Sequence, residues 1–164
     1  MMKTLLAVCV VVLLPILAFG QESDQISQGI GYAFVAPGVA VGGGSSSGLL
    51  HFGGGGEGRL YKGLGIAAEI GYLTPFEDMG RGVGVFSLDG VYRFHKSGSK
   101  IEPFLAGGYS VLFRGDTAHG VNLGGGIDYW FHKRVGMRFE FRDYFRTSYL
   151  NDHIIQGRFG FTFR

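Results

Sequence analysis

From Val121 to Arg142 the chain alternates. Val121, Leu123, Gly125, Ile127, Tyr129 and Phe131 take every second position, with Asn122, Gly124, Gly126, Asp128 and Trp130 between them. After His132-Lys133-Arg134 the alternation resumes, with Val135, Met137, Phe139 and Phe141 set against Arg138, Glu140 and Arg142. A repeat of two is the side-chain period of a strand, not of a helix. The segment predicts two strands and one tight turn. Three charges on one face cannot line an apolar core without partners, so the face that points inward decides what the protein does.

The same period recurs from Ile30 to Phe163 and predicts eight strands in all. The first, about Ile30–Val41, alternates Ile30, Tyr32, Phe34 and Ala36, and a Gly/Ser loop over 42–48 follows. The second, about Leu50–Tyr61, sets Phe52 and Leu60 against His51, Glu57 and Arg59. Lys62-Gly63 is short enough to be a hairpin turn into the third, about Leu64–Leu73. A polar loop over 74–81 leads to the fourth, about Val83–Phe94, and a turn over 95–99 to the fifth, about Ile101–Phe113. A loop is expected over 114–119 before the alternating pair, which extends to about Phe145. Another loop, over 147–153, precedes the eighth strand, about Ile154–Phe163, where Ile155, Phe159, Phe161 and Phe163 oppose Gln156, Arg158 and Thr162. Eight strands with short connections make an up-and-down meander. Such a sheet has two unpaired edges unless it closes, and at eight strands its own side chains fill the interior. The expected fold is all-β, a closed antiparallel eight-stranded up-and-down barrel.

Two barrels fit that count. A soluble barrel of lipocalin type turns its apolar face inward, and a transmembrane barrel turns it to lipid. The charges separate them. Strands two to seven each carry one acid on the polar face: Glu57, Glu69, Asp89, Glu102, Asp128 and Glu140. Arg59, Arg93, Arg138, Arg142 and Arg158 share that face, with small residues between and no lysine. Acids and arginines in near balance suit a narrow lumen packed by Arg–carboxylate pairs, and a solvated surface would mix in lysine. Lys62, Lys96, Lys100 and Lys133 fall in turns instead. On the opposite face, aromatic residues crowd the strand ends: Tyr61, Tyr72, Tyr92, Phe94, Tyr129, Phe131 and Phe145. That distribution predicts aromatic girdles at two membrane interfaces and a transmembrane barrel.

The beginning of the chain agrees. Met1-Met2-Lys3 precedes an apolar run from Leu5 to Leu17, and Ala18-Phe19-Gly20 closes it with small residues at the positions a signal peptidase reads. The run is shorter than the ~20 residues a spanning helix needs. Residues 1–20 are therefore expected to be a signal peptide and residues 21–164 one barrel domain. Cys9, the one cysteine, lies inside the apolar run, so no disulfide or thiol chemistry is expected after processing. A net charge of +2 with the signs interspersed excludes nucleic acid as a partner.

Lys100–Phe113 (KIEPFLAGGYSVLF), Gly120–Tyr144 (GVNLGGGIDYWFHKRVGMRFEFRDY) and Gly157–Phe163 (GRFGFTF) resemble the OmpA-type outer-membrane β-barrel superfamily. The resemblance covers the whole of 21–164 and is sharpest in its second half. It implies a small monomeric barrel in the bacterial outer membrane with both termini in the periplasm. Lipid and the outer-membrane assembly machinery are its implied partners. The turns after Tyr61, Phe94 and Phe131 would then face the periplasm, and the loops after Val41, Leu73, Phe113 and Phe145 the exterior. The chain departs from the pattern at Arg164, which follows Phe163 in place of a terminal aromatic, and no peptidoglycan-binding domain is expected after the barrel.

Candidate chemistry is thin. His51, His95, His119, His132 and His153 show no metal-ligand spacing on one strand, so neither a metal nor a cofactor is expected. His95 and Ser97 have the spacing found in the outer-membrane lipid A deacylases, but they fall in a turn on the wrong side of the membrane. The Gly runs at 42–44 and 53–56 lack the Lys-Ser/Thr of a phosphate loop. The reading is an integral barrel with a structural or surface role and no catalysis. A small porin-like pore is the alternative, and a lipid A-modifying enzyme a more distant one.

Overall fold

In the computed structural model the described residues are 29–42, 45–95, 98–146 and 153–164, with Ser45, Asp116 and Arg146 described through their backbone alone. The signal peptide read over 1–20, the polar leader, Lys96, Ser97 and residues 147–152 of the loop read over 147–153 lie outside them; the last residue of that loop, His153, opens the eighth strand. Among the described residues there are eight strands: β1 (Gly29–Gly42), β2 (Ser45–Tyr61), β3 (Leu64–Pro75), β4 (Val83–Arg93), β5 (Ile101–Arg114), β6 (Asp116–Trp130), β7 (Val135–Arg146) and β8 (His153–Phe163). Each pairs antiparallel with its sequence neighbours. β1 pairs with β8, Gly31 opposite Phe163 and Val35 opposite Phe159, so the sheet closes as predicted.

Closure answers an energetic demand. An edge strand in a membrane would expose a row of unpaired N–H and C=O groups, and closing the sheet removes the edges. The turns follow local chemistry. Lys62 (φ 42°) and Gly63 (φ 88°) both adopt left-handed conformations, as a two-residue hairpin turn matched to strand twist requires. Gly115 (φ 100°) makes the bend between β5 and β6.

Two predicted loops are largely strand where they are described. The 42–48 stretch was expected to be a loop, but β1 and β2 stay in register through Val39–Gly48 to Gly42–Ser45. Gly and Ser are poor strand formers, yet a hairpin partner satisfies their backbone, and Val39 and Val41 keep the alternation. The 114–119 stretch is likewise paired, from Val111–His119 to Arg114–Asp116, because one glycine suffices for the reversal. At 74–81 the expected loop holds only in part: β3 runs on through Pro75, and a single 3-10 turn follows at Met79–Arg81. The Asp78 carboxylate caps it, accepting from Gly80 N at 3.0 Å.

The two faces separate as the alternation predicts for β2 to β8. Leu60, Ile70, Leu88, Leu105, Leu123, Phe141 and Phe161 point outward and are each more than half exposed, a belt of bare hydrocarbon that water would not tolerate. β1 departs from the rule. Its outward residues are Val35, Val39 and Val41, and its inward ones Ile30, Tyr32, Phe34 and Ala36, all buried. β1 carries no charged residue. It therefore lines the lumen with rings and methyls on which the arginines of other strands lie.

Candidate functional site

The lumen is filled along its length. Starting at the end that carries the termini, β2 supplies Glu57 and Arg59, β4 Arg93, β5 Glu102, β6 Asp128 and β7 Arg138. Arg93 lies at the centre. Its Nε and Nη2 donate to the two oxygens of Glu57 at 2.5 and 2.6 Å, and its Nη1 donates to Asp128 Oδ2 at 2.7 Å. Arg138 grips Asp128 through Nε (2.8 Å) and Nη2 (2.9 Å). Arg59 donates to both oxygens of Glu102, at 3.0 and 3.2 Å. The set balances three acids with three guanidiniums. Arg59 is the outlying member, with its side chain 19% exposed near the opening. Trp130 Nε1 donates to Glu102 Oε2 at 3.3 Å. The guanidinium of Arg164, the residue that departs from the terminal aromatic pattern, covers the Trp130 ring at 4.1 Å.

A second cluster lies deeper and joins β3, β4, β7 and β8. Arg158 Nη2 donates to Glu69 Oε1, and its Nη1 lies 3.3 Å from both oxygens of Glu140. Arg142 donates through Nε to Glu140 (2.5 Å) and through Nη1 to Asp89 (2.8 Å). Here three acids, Glu69, Asp89 and Glu140, meet two arginines, so this cluster holds the surplus carboxylate. Asn122 helps with it, donating to Asp89 Oδ1 at 2.8 Å and to Ser110 Oγ at 2.9 Å.

The inward face of β1 and the Phe104 ring support both clusters. The Arg158 guanidinium sits 3.6 Å above the Phe34 ring, and Arg138 lies between the rings of Tyr32 (4.1 Å) and Phe104 (4.6 Å). The Tyr32 hydroxyl donates to Glu69 at 3.2 Å. Stacked guanidiniums keep their in-plane donors free for carboxylates, which a lysine ammonium could not do. Toward the opposite end the charges stop. Leu49, Leu73, Val85 and Tyr144 form an apolar cap, with His51 Nδ1 3.0 Å from Gln156 Oε1 beneath it.

All eleven charged residues expected on the inner face point into the lumen and belong to one of these two clusters. The sequence reading did not count His51, Tyr144, Asn122, Gln156, Ser87 and Ser110 in the lumen network, and they are buried beside it. Their positions were legible, since each shares parity with a charged residue of its own strand. Their neutral side chains gave no reason to single them out. Of the other candidates, His95 lies in the turn at the terminal end, 3.2 Å from Glu102, and Ser97 lies outside the described residues. Among the described residues no three His, Asp or Glu side chains are grouped as a cation site would need.

No family model matches the sequence, and no curated protein matches it. Solved structures do. Neisserial surface protein A superposes with a TM-score of 0.69 at 14% identity, over 84% of this chain and 97% of that one. The N-terminal β-barrel domain of Pseudomonas aeruginosa OprF gives 0.55 at 17% identity, over 80% and 97%. A transmembrane β-barrel designed de novo gives 0.54 at 14%, over 86% and 98%. At these identities the likeness is one of fold. The chain therefore shares the fold of these barrels: eight antiparallel strands, up and down, closed on themselves.

Proposed function

We propose that this chain is an integral protein of the bacterial outer membrane with a structural or surface role, that it carries out no catalysis, and that it is not an open pore. The observation that carries the reading is the inversion of the two faces. Leu123 is 62% exposed on the outside, whereas Arg142 and Arg158 are almost completely buried on the inside. Water on the outside would leave that apolar belt unpaid for, and lipid there makes the arrangement favourable. The lumen is crossed by two ion-pair clusters that leave little room for a continuous water path. On this reading the termini face the periplasm, lipid surrounds the belt, the assembly machinery inserts the chain as a monomer, and residues 1–20 are removed.

Cell fractionation tests it. The protein should be found in the outer-membrane fraction and should migrate differently on gels before and after boiling, as a closed barrel does. A mature chain recovered from the soluble fraction would overturn the reading.

A further inference from the structure

We propose that the end of the barrel carrying the termini binds anionic phospholipid headgroups through a ring of unpaired cations; this rests on the membrane reading above. The ring is built from turns. Lys62 lies between β2 and β3, Lys100 before β5, and Lys133 and Arg134 between β6 and β7; all four are exposed. His95 and His132 stand beside them. No Asp or Glu occurs at positions 62–63, 94–100, 131–134 or 164. The nearest acids on the strands, Glu57, Glu102 and Asp128, are buried and held by Arg59, Arg93 and Arg138. Among the described residues, none of the four cations makes an ion pair. Counted in sequence alone, Glu22 and Asp24 before β1 are offset by Lys96 and Arg164, so the sum of charges over these segments stays positive.

The opposite rim is different. There Arg81 pairs with Asp78 at 3.0 Å, and Arg114 donates to the Gly80 carbonyl oxygen at 3.0 Å.

Depth supplies the second argument. Tyr61, Tyr92, Phe94, Tyr129 and Phe131 are exposed on the outer wall just before these turns. Exposed aromatic side chains mark the interface of a bilayer. Lys62 Nζ lies 5.0 Å from the centre of the Tyr61 ring. A cation one to three residues beyond the aromatic band stands at the depth of lipid phosphates, since a strand rises roughly 3.3 Å per residue. Basic residues at that depth attract anionic lipid and lose the attraction as salt rises.

The test uses the full mature chain refolded in nanodiscs of phosphatidylcholine with a minor fraction of phosphatidylglycerol. Lipids that stay bound on release are counted by native mass spectrometry. The wild type should retain phosphatidylglycerol above its bulk fraction, and salt should erode that enrichment. A variant combining Lys62→Gln, Lys100→Gln, Lys133→Gln and Arg134→Gln should lower the enrichment at least about tenfold. Arg81→Gln with Arg114→Gln, at the other rim, should leave it intact. An unenriched wild type, enrichment indifferent to salt, or equal loss in both variants would overturn the proposal. So would retention of soluble polyglutamate with no lipid preference, which would assign the ring to an acidic partner. If the fourfold variant does not refold, the salt titration of the wild type decides alone. Migration before and after boiling reports barrel formation separately: a chain that never forms a barrel in lipid sinks the membrane reading, and a barrel without lipid preference sinks this inference only.

Discussion

Arg138 makes two charge-assisted bonds to Asp128 and is sandwiched by two rings, so its removal leaves Asp128 buried with Arg93 as its remaining guanidinium. Breaking a buried pair by removing one partner costs more than the pair itself contributes. Arg138→Ala and Glu140→Ala should each destabilise the barrel by about 3–5 kcal/mol. Lys62→Ala, at an exposed turn, should change stability by less than about 0.5 kcal/mol. Urea unfolding in detergent micelles, followed by the fluorescence of the single tryptophan, Trp130, measures all three. Equal costs would mean that the inward charges are not holding the lumen. The two clusters should also differ. Asp128 accepts three bonds from two arginines in a balanced set, whereas Asp89 accepts one from Arg142 and one from Asn122 in a set with a surplus acid. Asp128→Asn should therefore cost more than Asp89→Asn in the same assay, and the reverse order would contradict the assignment of the surplus.

Strands set which of these residues can meet. On β7, Phe139 and Phe141 point outward while Arg138, Glu140 and Arg142 point inward, so neighbours in sequence face the outer wall and the ion pairs alternately. A charge moved by one position changes its solvent. Phe141→Arg should cost about 2–4 kcal/mol near the bilayer midplane, measured by unfolding from lipid vesicles. The same substitution should cost much less in short-chain detergent, where water reaches the side chain; equal costs in both would argue against an outward, lipid-facing Phe141. The inward face also needs glycine where strands approach. A Cβ on Gly124 would stand 2.7 Å from the Phe141 carbonyl oxygen and 3.2 Å from Glu140 Oε1, so β6 gives up side chains where β7 presents its charges. β1 shows the complementary device, an uncharged inner face that carries the guanidiniums of β7 and β8.

For the molecule as a whole, a lumen packed by ion pairs predicts poor conduction. Planar bilayers containing the purified protein should show no large, steady single-channel currents; their appearance would favour the pore reading over the structural one. How much of this was legible in sequence follows from what alternation can carry. A period of two assigns a face to every residue, so the number of strands, the closed barrel and the inward side of all eleven charges could be read from the chain. Local composition misjudged 42–48 and 114–119, because strand pairing there is imposed by a partner across the hairpin and not by the residues themselves. The inward turn of the aromatic side chains of β1 was hidden for a related reason: in a strand without charges, alternation marks two faces but does not say which is inside. Partner choice was out of reach altogether. Arg93 meets Glu57 at a separation of 36 residues and Arg158 meets Glu69 at 89. In the seven strands that carry charges, the sequence by itself determined which side of the wall each side chain occupies, because the pleat fixes two faces and the charges mark the inner one. Only the closed barrel decided which charges share a level of the lumen, because that height depends on the register and tilt of all eight strands at once.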